Sequence, residues 1–284
     1  MKIHQLRNAT LLLEIGEHRL LVDPVLGDVG SFSAFKMFGG GRRRNPIVPL
    51  PEQAPDLLAK ATGVLITHAH HVDHLDPTGV AWIKERGLKV WASPLDAPSL
   101  RKKGFEVEEV HDGIGGMRCE IIPAVHGRGP IGWLMGPVTG FFLAALGEPS
   151  IYLTSDAVLT EDMLAAVKRL QPEVIVSPAG SASFGLGPDI LFSIDELITL
   201  TKSCSAQMVF NHLEAVDHCP TTRKQLRERL ETEGLSSRTN VPEDGHSLEF
   251  STTNDHRTEP AIKPAIPDQP GLQKWLVNMI AKVM

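Results

Sequence analysis

The segment Ile66-Thr67-His68-Ala69-His70-His71-Val72-Asp73-His74-Leu75-Asp76 holds four histidines and two aspartates within nine residues. It follows the apolar run Gly63-Val64-Leu65-Ile66, which predicts a buried strand, and it precedes a predicted helix from Pro77 to Glu85. Imidazole and carboxylate groups are the side chains that suit zinc, iron and manganese. Loops that follow strands commonly carry functional residues. The segment therefore predicts a metal site at the end of a strand.

The flanking sequence predicts a mixed α/β (α+β) protein. Apolar runs at 10–15 and 19–23 flank a turn and predict a hairpin. Residues 24–54 show no periodicity and contain several glycines, prolines and arginines, which predicts a long surface loop. From residue 55 onward, strand-like and helix-like segments alternate, with helices expected at 161–170, 194–202 and 221–233. This order fits two packed sheets covered by helices.

Composition narrows the class of protein. The chain has 284 residues, of which 42% are hydrophobic and 22% charged, and its formal net charge is −6. An acidic balance argues against broad nucleic-acid binding. We find neither a signal-peptide core nor an apolar run long enough for a transmembrane segment. The three cysteines imply no disulfide framework, so we expect reduced thiols and a cytoplasmic protein.

The histidine-rich segment resembles the His-x-His-x-Asp-His signature of the metallo-β-lactamase superfamily. Here the spacing is His-x-His-x-x-Asp-His, with one extra residue. We favour His68 and His70 as the paired ligands, with a one-residue bulge before Asp73. His71 is the alternative ligand. The resemblance implies a four-layer αββα sandwich for residues 1–252.

Other parts of the chain carry the same resemblance. The stretches 7–14 and 21–24 resemble the first hairpin of the branch that contains ascorbate-6-phosphate lactonase and N-acyl-phosphatidylethanolamine phospholipase D. His126, Asp156 and His212 each follow an apolar run and match the dispersed ligands of the family. His218 is a rival ligand. The implied arrangement places His68, His70 and His126 on one metal, Asp73, His74 and His212 on a second, and Asp156 between them.

The resemblance implies a hydrolase with two divalent metal ions, with zinc preferred and manganese or iron as alternatives. A metal-activated hydroxide would attack a small ester, lactone or phosphoester, and Asp73 would orient it or carry its proton. A nuclease, a phospholipase and a metal-binding homologue without activity are the alternatives. Diiron redox proteins of the superfamily carry a glutamate at the second histidine position, so His70 argues against that class.

Two further regions are assigned roles. Arg42, Arg43, Arg128 and Trp133 are candidate substrate-binding residues, because they flank the predicted site in loops that could reach a ligand. Residues 253–284 form a polar arm followed by an amphipathic helix, in which apolar side chains recur at 272, 275, 276, 279, 280 and 283. We expect this arm to pack on the main domain or on a partner subunit of a homo-oligomer.

Overall fold

A computed structural model describes residues 1–37, 40–184, 188–252 and 273. Within these residues the chain forms two seven-stranded sheets with helices on their outer faces. The expected C-terminal arm, residues 253–284, lies outside the described residues except for Gln273. None of the helices in the described part is long and apolar enough to cross a membrane.

The first sheet combines an antiparallel half with a parallel half. In spatial order its first four strands alternate in direction, and the remaining three run parallel to the fourth. In spatial order it contains β14 (Ser247–Glu249), β1 (Lys2–Arg7), β2 (Thr10–Ile15), β3 (His18–Val22), β4 (Gly63–Ile66), β5 (Val90–Ala92) and β6 (Val107–Glu109).

The second sheet has the same mixed character. In spatial order its first four strands pair in parallel, and its last four, which include a long hairpin, pair antiparallel. In spatial order it contains β13 (Thr239–Asn240), β12 (Gln207–Asn211), β11 (Val174–Pro178), β10 (Ile151–Leu153), β9 (Pro137–Ala144), β8 (Met117–Val125) and β7 (Gly113–Ile114).

Three apolar cores separate four layers. One core lies between the sheets and joins residues such as Leu13 and Phe141. A second joins the first sheet to its outer helices through residues such as Ile66 and Leu100, and a third does the same for the second sheet. This layering confirms the expected αββα sandwich. The helices are α1 (Ala54–Ala59), α2 (Pro77–Arg86), α3 (Ala97–Lys102), α4 (Gly129–Met135), α5 (Glu161–Leu170), α6 (Ile194–Lys202) and α7 (Arg223–Thr232), with a short 3-10 turn at Ser236–Arg238.

Local signals explain where the helices begin. The carboxylate of Asp76 accepts a hydrogen bond from the Gly79 amide at 2.7 Å and caps α2. The hydroxyl of Ser193 and the side chain of Glu196 form a capping box at the start of α6. Such caps satisfy amides that have no partner within the helix. Asp76 also accepts the amides of Leu26 and Gly27, so it fixes the loop after β3 as well.

The strand ends gather the polar residues at one edge of the sandwich. Strands β3, β4 and β5 are parallel, and the histidine-rich segment begins just past β4. In the other sheet β10, β11 and β12 are parallel, with Asp156 shortly after β10 and His212 directly after β12. Because parallel strands end at the same edge, residues distant in sequence meet there.

Candidate metal centre

Seven buried side chains form two adjacent groups at this edge. The first group contains His68, His71 and His126, and within it the candidate ligand atoms all lie within 4.8 Å of one another. The second group contains Asp73, His74, Asp156 and His212, whose candidate ligand atoms also lie within 4.8 Å of one another. Every member of both groups is at most 5% exposed.

The first group is built from two strand ends. His68 lies two residues after β4, and His126 lies directly after β8. The Nε2 of His126 is 3.3 Å from the Nδ1 of His71. The Nδ1 of His126 is bonded to the carbonyl of Ile190 at 2.8 Å, which fixes the ring and turns its Nε2 toward the group. Three imidazole nitrogens converge in this way on one small volume.

Asp156 lies between the two groups. Its Oδ2 is 3.0 Å from the Nε2 of His74, 3.5 Å from the Nε2 of His212 and 3.8 Å from the Nε2 of His126. The carboxylate of Asp73 lies 3.6 Å from the same nitrogen of His212. One carboxylate oxygen therefore faces imidazoles of both groups, as a bridging ligand requires.

A surrounding set of hydrogen bonds fixes the orientation of these rings. The Nδ1 of His74 lies 2.9 Å from a carboxylate oxygen of Asp23, and the Nδ1 of His68 lies 3.1 Å from the hydroxyl of Thr67. The Nδ1 of His212 contacts the thiol of Cys219 at 3.3 Å. Each ring thus uses Nδ1 for the protein and leaves Nε2 directed at the group.

The Nε2 atoms that face the two groups fit a metal ion. The Nε2 atoms of His68, His74 and His212 are buried and make no well-oriented hydrogen bond to any residue that the structure describes. Orphaned buried polar atoms are costly unless something binds them. A set of imidazole nitrogens and carboxylate oxygens suits zinc, iron and manganese. Their second nitrogens are held by neighbouring groups, as is typical of histidines that bind metals.

The pKa values of the ligand side chains also favour a metal ion at this site. Burial opposes charge on His74, but the carboxylates of Asp156 and Asp23 raise its pKa to about 10. Burial would likewise raise the pKa of Asp156, but the imidazoles of His74 and His212 hold that pKa well below its usual value. Burial lowers the pKa of His68 well below its ordinary range, so this ring is neutral. The site holds buried carboxylate charge that a bound cation would compensate in place of protons.

The structure departs from the expected ligand set at His70. Its ring lies outside both groups, and its Nε2 is bonded to the carbonyl of Met135 at 2.8 Å. His71, the alternative ligand, lies in the first group with His68 and His126. The amide of His74 bonds to the carbonyl of His71 at 3.2 Å, so a tight turn keeps the spacing from His71 through Asp73 to His74. Asp73 and His74 both lie within this turn.

His218, the expected rival ligand, also lies outside both groups. Its ring is packed edge-on against Phe35 at 4.7 Å and stacked near Phe184 at 6.1 Å. Burial lowers its pKa to about 4. Its neighbour Asp217 accepts hydrogen bonds from the amides of Phe35, Lys36 and Arg43, and so ties the long loop to the segment that carries His212. His218 thus forms part of the wall around the site.

The four expected substrate-binding residues fall in two places. Arg128 and Trp133 line a cavity of about 440 Å³ that also includes His126. Arg42 and Arg43 are exposed and line a separate shallow depression of about 320 Å³ with Arg44. Only the first pair is therefore next to a ligand group.

Sequence reasoning assigned no role to several residues that organise the site. Asp23 orients His74, and the side chain of Asn8 donates to the carbonyl of Asp73 at 2.9 Å. Asp96 accepts the amide of Ala69 at 2.9 Å and holds the histidine-rich segment in place. Asp23 follows an apolar run, so its position at a strand end was a usable signal. Asn8 and Asp96 carried no such signal.

Comparison with known proteins identifies the family. A model described as a beta-lactamase superfamily domain matches residues 18–213. The UPF0173 protein YddR of Bacillus subtilis is 30% identical over 256 residues, covering 88% of this chain and 100% of YddR. A UPF0173 metal-dependent hydrolase of Rhizobium etli is 28% identical over 190 residues, covering 63% of this chain and 73% of that protein.

Two solved structures resemble the chain along most of its length. An isothiocyanate hydrolase from Delia radicum gut bacteria has a TM-score of 0.80 and 28% identity, covering 89% of this chain and 100% of that one. A possible metal-dependent hydrolase from Veillonella parvula has a TM-score of 0.82 and 28% identity, covering 88% and 99%. The chain belongs to the metallo-beta-lactamase superfamily and, within it, to the UPF0173 family of metal-dependent hydrolases.

Proposed function

We propose that this protein is a two-metal hydrolase that attacks a small ester, lactone or phosphoester. The observation that carries the proposal is the pair of buried ligand groups joined by Asp156. His68, His71 and His126 would hold one divalent cation, and Asp73, His74 and His212 the other. Zinc suits this mixture of imidazole and carboxylate best, with manganese and iron as alternatives. Two such cations would supply hydroxide at neutral pH and stabilise negative charge on the reacting oxygen.

The chain's own residues have separate tasks in this reaction. Asp73 belongs to the second ligand group, 3.6 Å from the Nε2 of His212, and its carboxylate would orient the attacking water and accept its proton. Asp156 keeps the two groups at a fixed separation through its contacts with His74 and His126. The burial of both carboxylates excludes bulk water, which strengthens their electrostatic effects.

Isothiocyanate hydrolysis is a second candidate reaction. It is supported by the similarity to the isothiocyanate hydrolase, which extends over the whole of that chain at 28% identity. In that reaction water adds to the central carbon of R–N=C=S, and cleavage of the C–N bond yields the amine and carbonyl sulfide. Because water is the nucleophile in both reactions, the same ligand groups would serve either electrophile.

The test is metal-dependent turnover with a substrate panel. Protein prepared without chelators would be assayed with p-nitrophenyl acetate, a simple lactone, bis(p-nitrophenyl) phosphate and phenethyl isothiocyanate. We expect turnover of at least one substrate, its loss on chelation and its recovery with zinc or manganese. Asp73→Asn and Asp156→Asn should each lower kcat by about 10²–10⁴-fold, whereas Asp112→Asn, at an exposed position, should not. Equal turnover in all three variants contradicts the proposal.

A further inference from the structure

The cavity that borders His126 is lined mostly by apolar surface. It lies between the end of β8, helix α4 and the start of β9. Val125, Trp133 and Pro137 line it together with several glycines. Val125 is 46% exposed and Trp133 is 39% exposed, although both are large apolar residues. Apolar surface left open beside a reactive centre is typical of a ligand pocket.

None of the described residues that line this cavity carries an unpaired charge. Arg128 is the one charged residue among its lining residues. Its Nη2 forms an ion pair with Glu196 and donates to the carbonyl of Leu159 at 2.8 Å. The guanidinium is therefore neutralised by Glu196 and does not supply a free cation for a phosphate or carboxylate.

The apolar wall is held at a fixed position relative to the ligand groups. The Nε2 of His70 is bonded to the carbonyl of Met135 and ties the end of α4 to the histidine-rich segment. At the other end, a Cβ on Gly132 would lie 2.2 Å from the carbonyl oxygen of Gly127, so the helix packs closely on the loop after His126. The side chain of Gln273 donates to the carbonyl of Trp133 at 2.8 Å. These contacts therefore fix the position of the cavity wall beside the ligand groups.

We infer that this cavity binds an uncharged, apolar substituent next to the reacting bond, so that the substrates are small neutral electrophiles. The inference rests on the proposed function and narrows it. Neutral esters, lactones and isothiocyanates fit such a cavity, whereas phosphoesters and substrates with a carboxylate tail do not. An anionic tail would be desolvated against Val125 and Trp133 without a compensating partner.

Hydroxamates test this inference, because their head group binds metal and their tail can be varied. Three probes suffice: acetohydroxamic acid, hexanohydroxamic acid, and adipic acid monohydroxamate, which has the six-carbon length with a terminal carboxylate. Binding to the metal-loaded protein would be measured by calorimetry. Each buried methylene strengthens binding by about fourfold. We therefore expect hexanohydroxamic acid to bind at least about 30-fold more tightly than acetohydroxamic acid, and the carboxylate to remove this gain.

Variants of Trp133 and Val125 test whether the tail of the probe binds in this cavity. Trp133→Ala should weaken the binding of hexanohydroxamic acid by about tenfold and change the binding of acetohydroxamic acid by less than about twofold. Trp133→Phe should restore most of the lost affinity. Leu146→Ala, which removes an apolar side chain that is 78% exposed at another site, should change neither. Val125→Lys should favour the carboxylate-tailed probe over the neutral one.

The outcomes separate this inference from the proposed function. Metal-loaded protein that binds all three probes equally, or whose tail preference is unchanged in Trp133→Ala, overturns the inference alone. A preference for the carboxylate-tailed probe in the unmodified protein also overturns it. Failure of the protein to retain metal, with no binding of acetohydroxamic acid, overturns the proposed function, and the inference falls with it.

Discussion

The carboxylate of Asp23 lies 2.9 Å from the Nδ1 of His74, while the Nε2 of the same ring lies 3.0 Å from Asp156. Asp23 also accepts hydrogen bonds from the amide and the hydroxyl of Thr67, at 2.8 Å and 2.6 Å. One carboxylate thus fixes both the ring of His74 and the first turn after β4. The site depends on this outer carboxylate as well as on the ligand groups themselves.

Asp23→Asn should therefore weaken metal binding. The amide cannot act as a charged acceptor for His74, and removing such a partner typically costs 10- to 100-fold in metal affinity. Competition with a chromogenic zinc chelator measures the change. Asp28→Asn, at an exposed position outside both ligand groups, is the matched control. Zinc affinities within twofold of each other in both variants would show that Asp23 does not support the site.

The contacts of Asp217 predict how firmly the long loop is held. Its carboxylate accepts the amides of Phe35 at 3.0 Å and Arg43 at 3.2 Å, and the side chain of Asn45 at 3.0 Å. Asp217→Ala leaves these donors unpaired and should lower the free energy of unfolding by about 1–3 kcal/mol. Trypsin should also cut faster at Arg42–Arg44. Unchanged cleavage relative to an Asp112→Ala control would contradict this role.

The close approach of Gly132 and Gly127 makes a prediction about α4. A Cβ at position 132 would meet the carbonyl oxygen of Gly127 at 2.2 Å, so the helix must shift. Gly132→Ala should lower the free energy of unfolding by about 1–3 kcal/mol. Gly40→Ala places its Cβ in open space and is the control. Urea denaturation of both variants measures the difference, and equal midpoints would mean that the two segments are not in contact.

Asp96 predicts a pH dependence of stability in the metal-free protein. Burial raises its pKa from 3.8 to about 6. For an acid with a raised pKa in the folded state, the stabilisation is complete below the unfolded pKa and is lost as the pH rises through the folded pKa. The stability of the unmodified protein relative to Asp96→Asn should fall by about 3 kcal/mol at most between pH 4 and pH 7. A constant difference across that range would contradict a buried, protonated Asp96.

Much of the fold could be predicted from the sequence because its segments have clear periods. Helix α5 was predicted with the bounds it has, since its apolar residues recur at helical spacing and Thr160 caps it. Strand β1 was not, because His4, Gln5 and Arg7 interrupt its apolar pattern although all three are buried. Arg7 is tolerated there because its side chain donates to the carbonyls of Val25, Gly27 and Val48. Such distant partners are not readable from local sequence.

The candidate site could also be predicted only in part from the sequence. His126, Asp156 and His212 were expected to converge because each follows a strand, and the structure brings them together. The choice between His70 and His71 could not be made in the same way. Each histidine's position depends on contacts of this segment with residues far along the chain, such as Met135 and Asp96.

The most direct test of the account is the metal content of three proteins, measured by inductively coupled plasma mass spectrometry after loading with zinc and desalting. We predict about two ions per chain in the unmodified protein, about one in His71→Ala and about two in His70→Ala. One ion or fewer in the unmodified protein, or loss of metal from His70→Ala with none lost from His71→Ala, would contradict the two ligand groups described above.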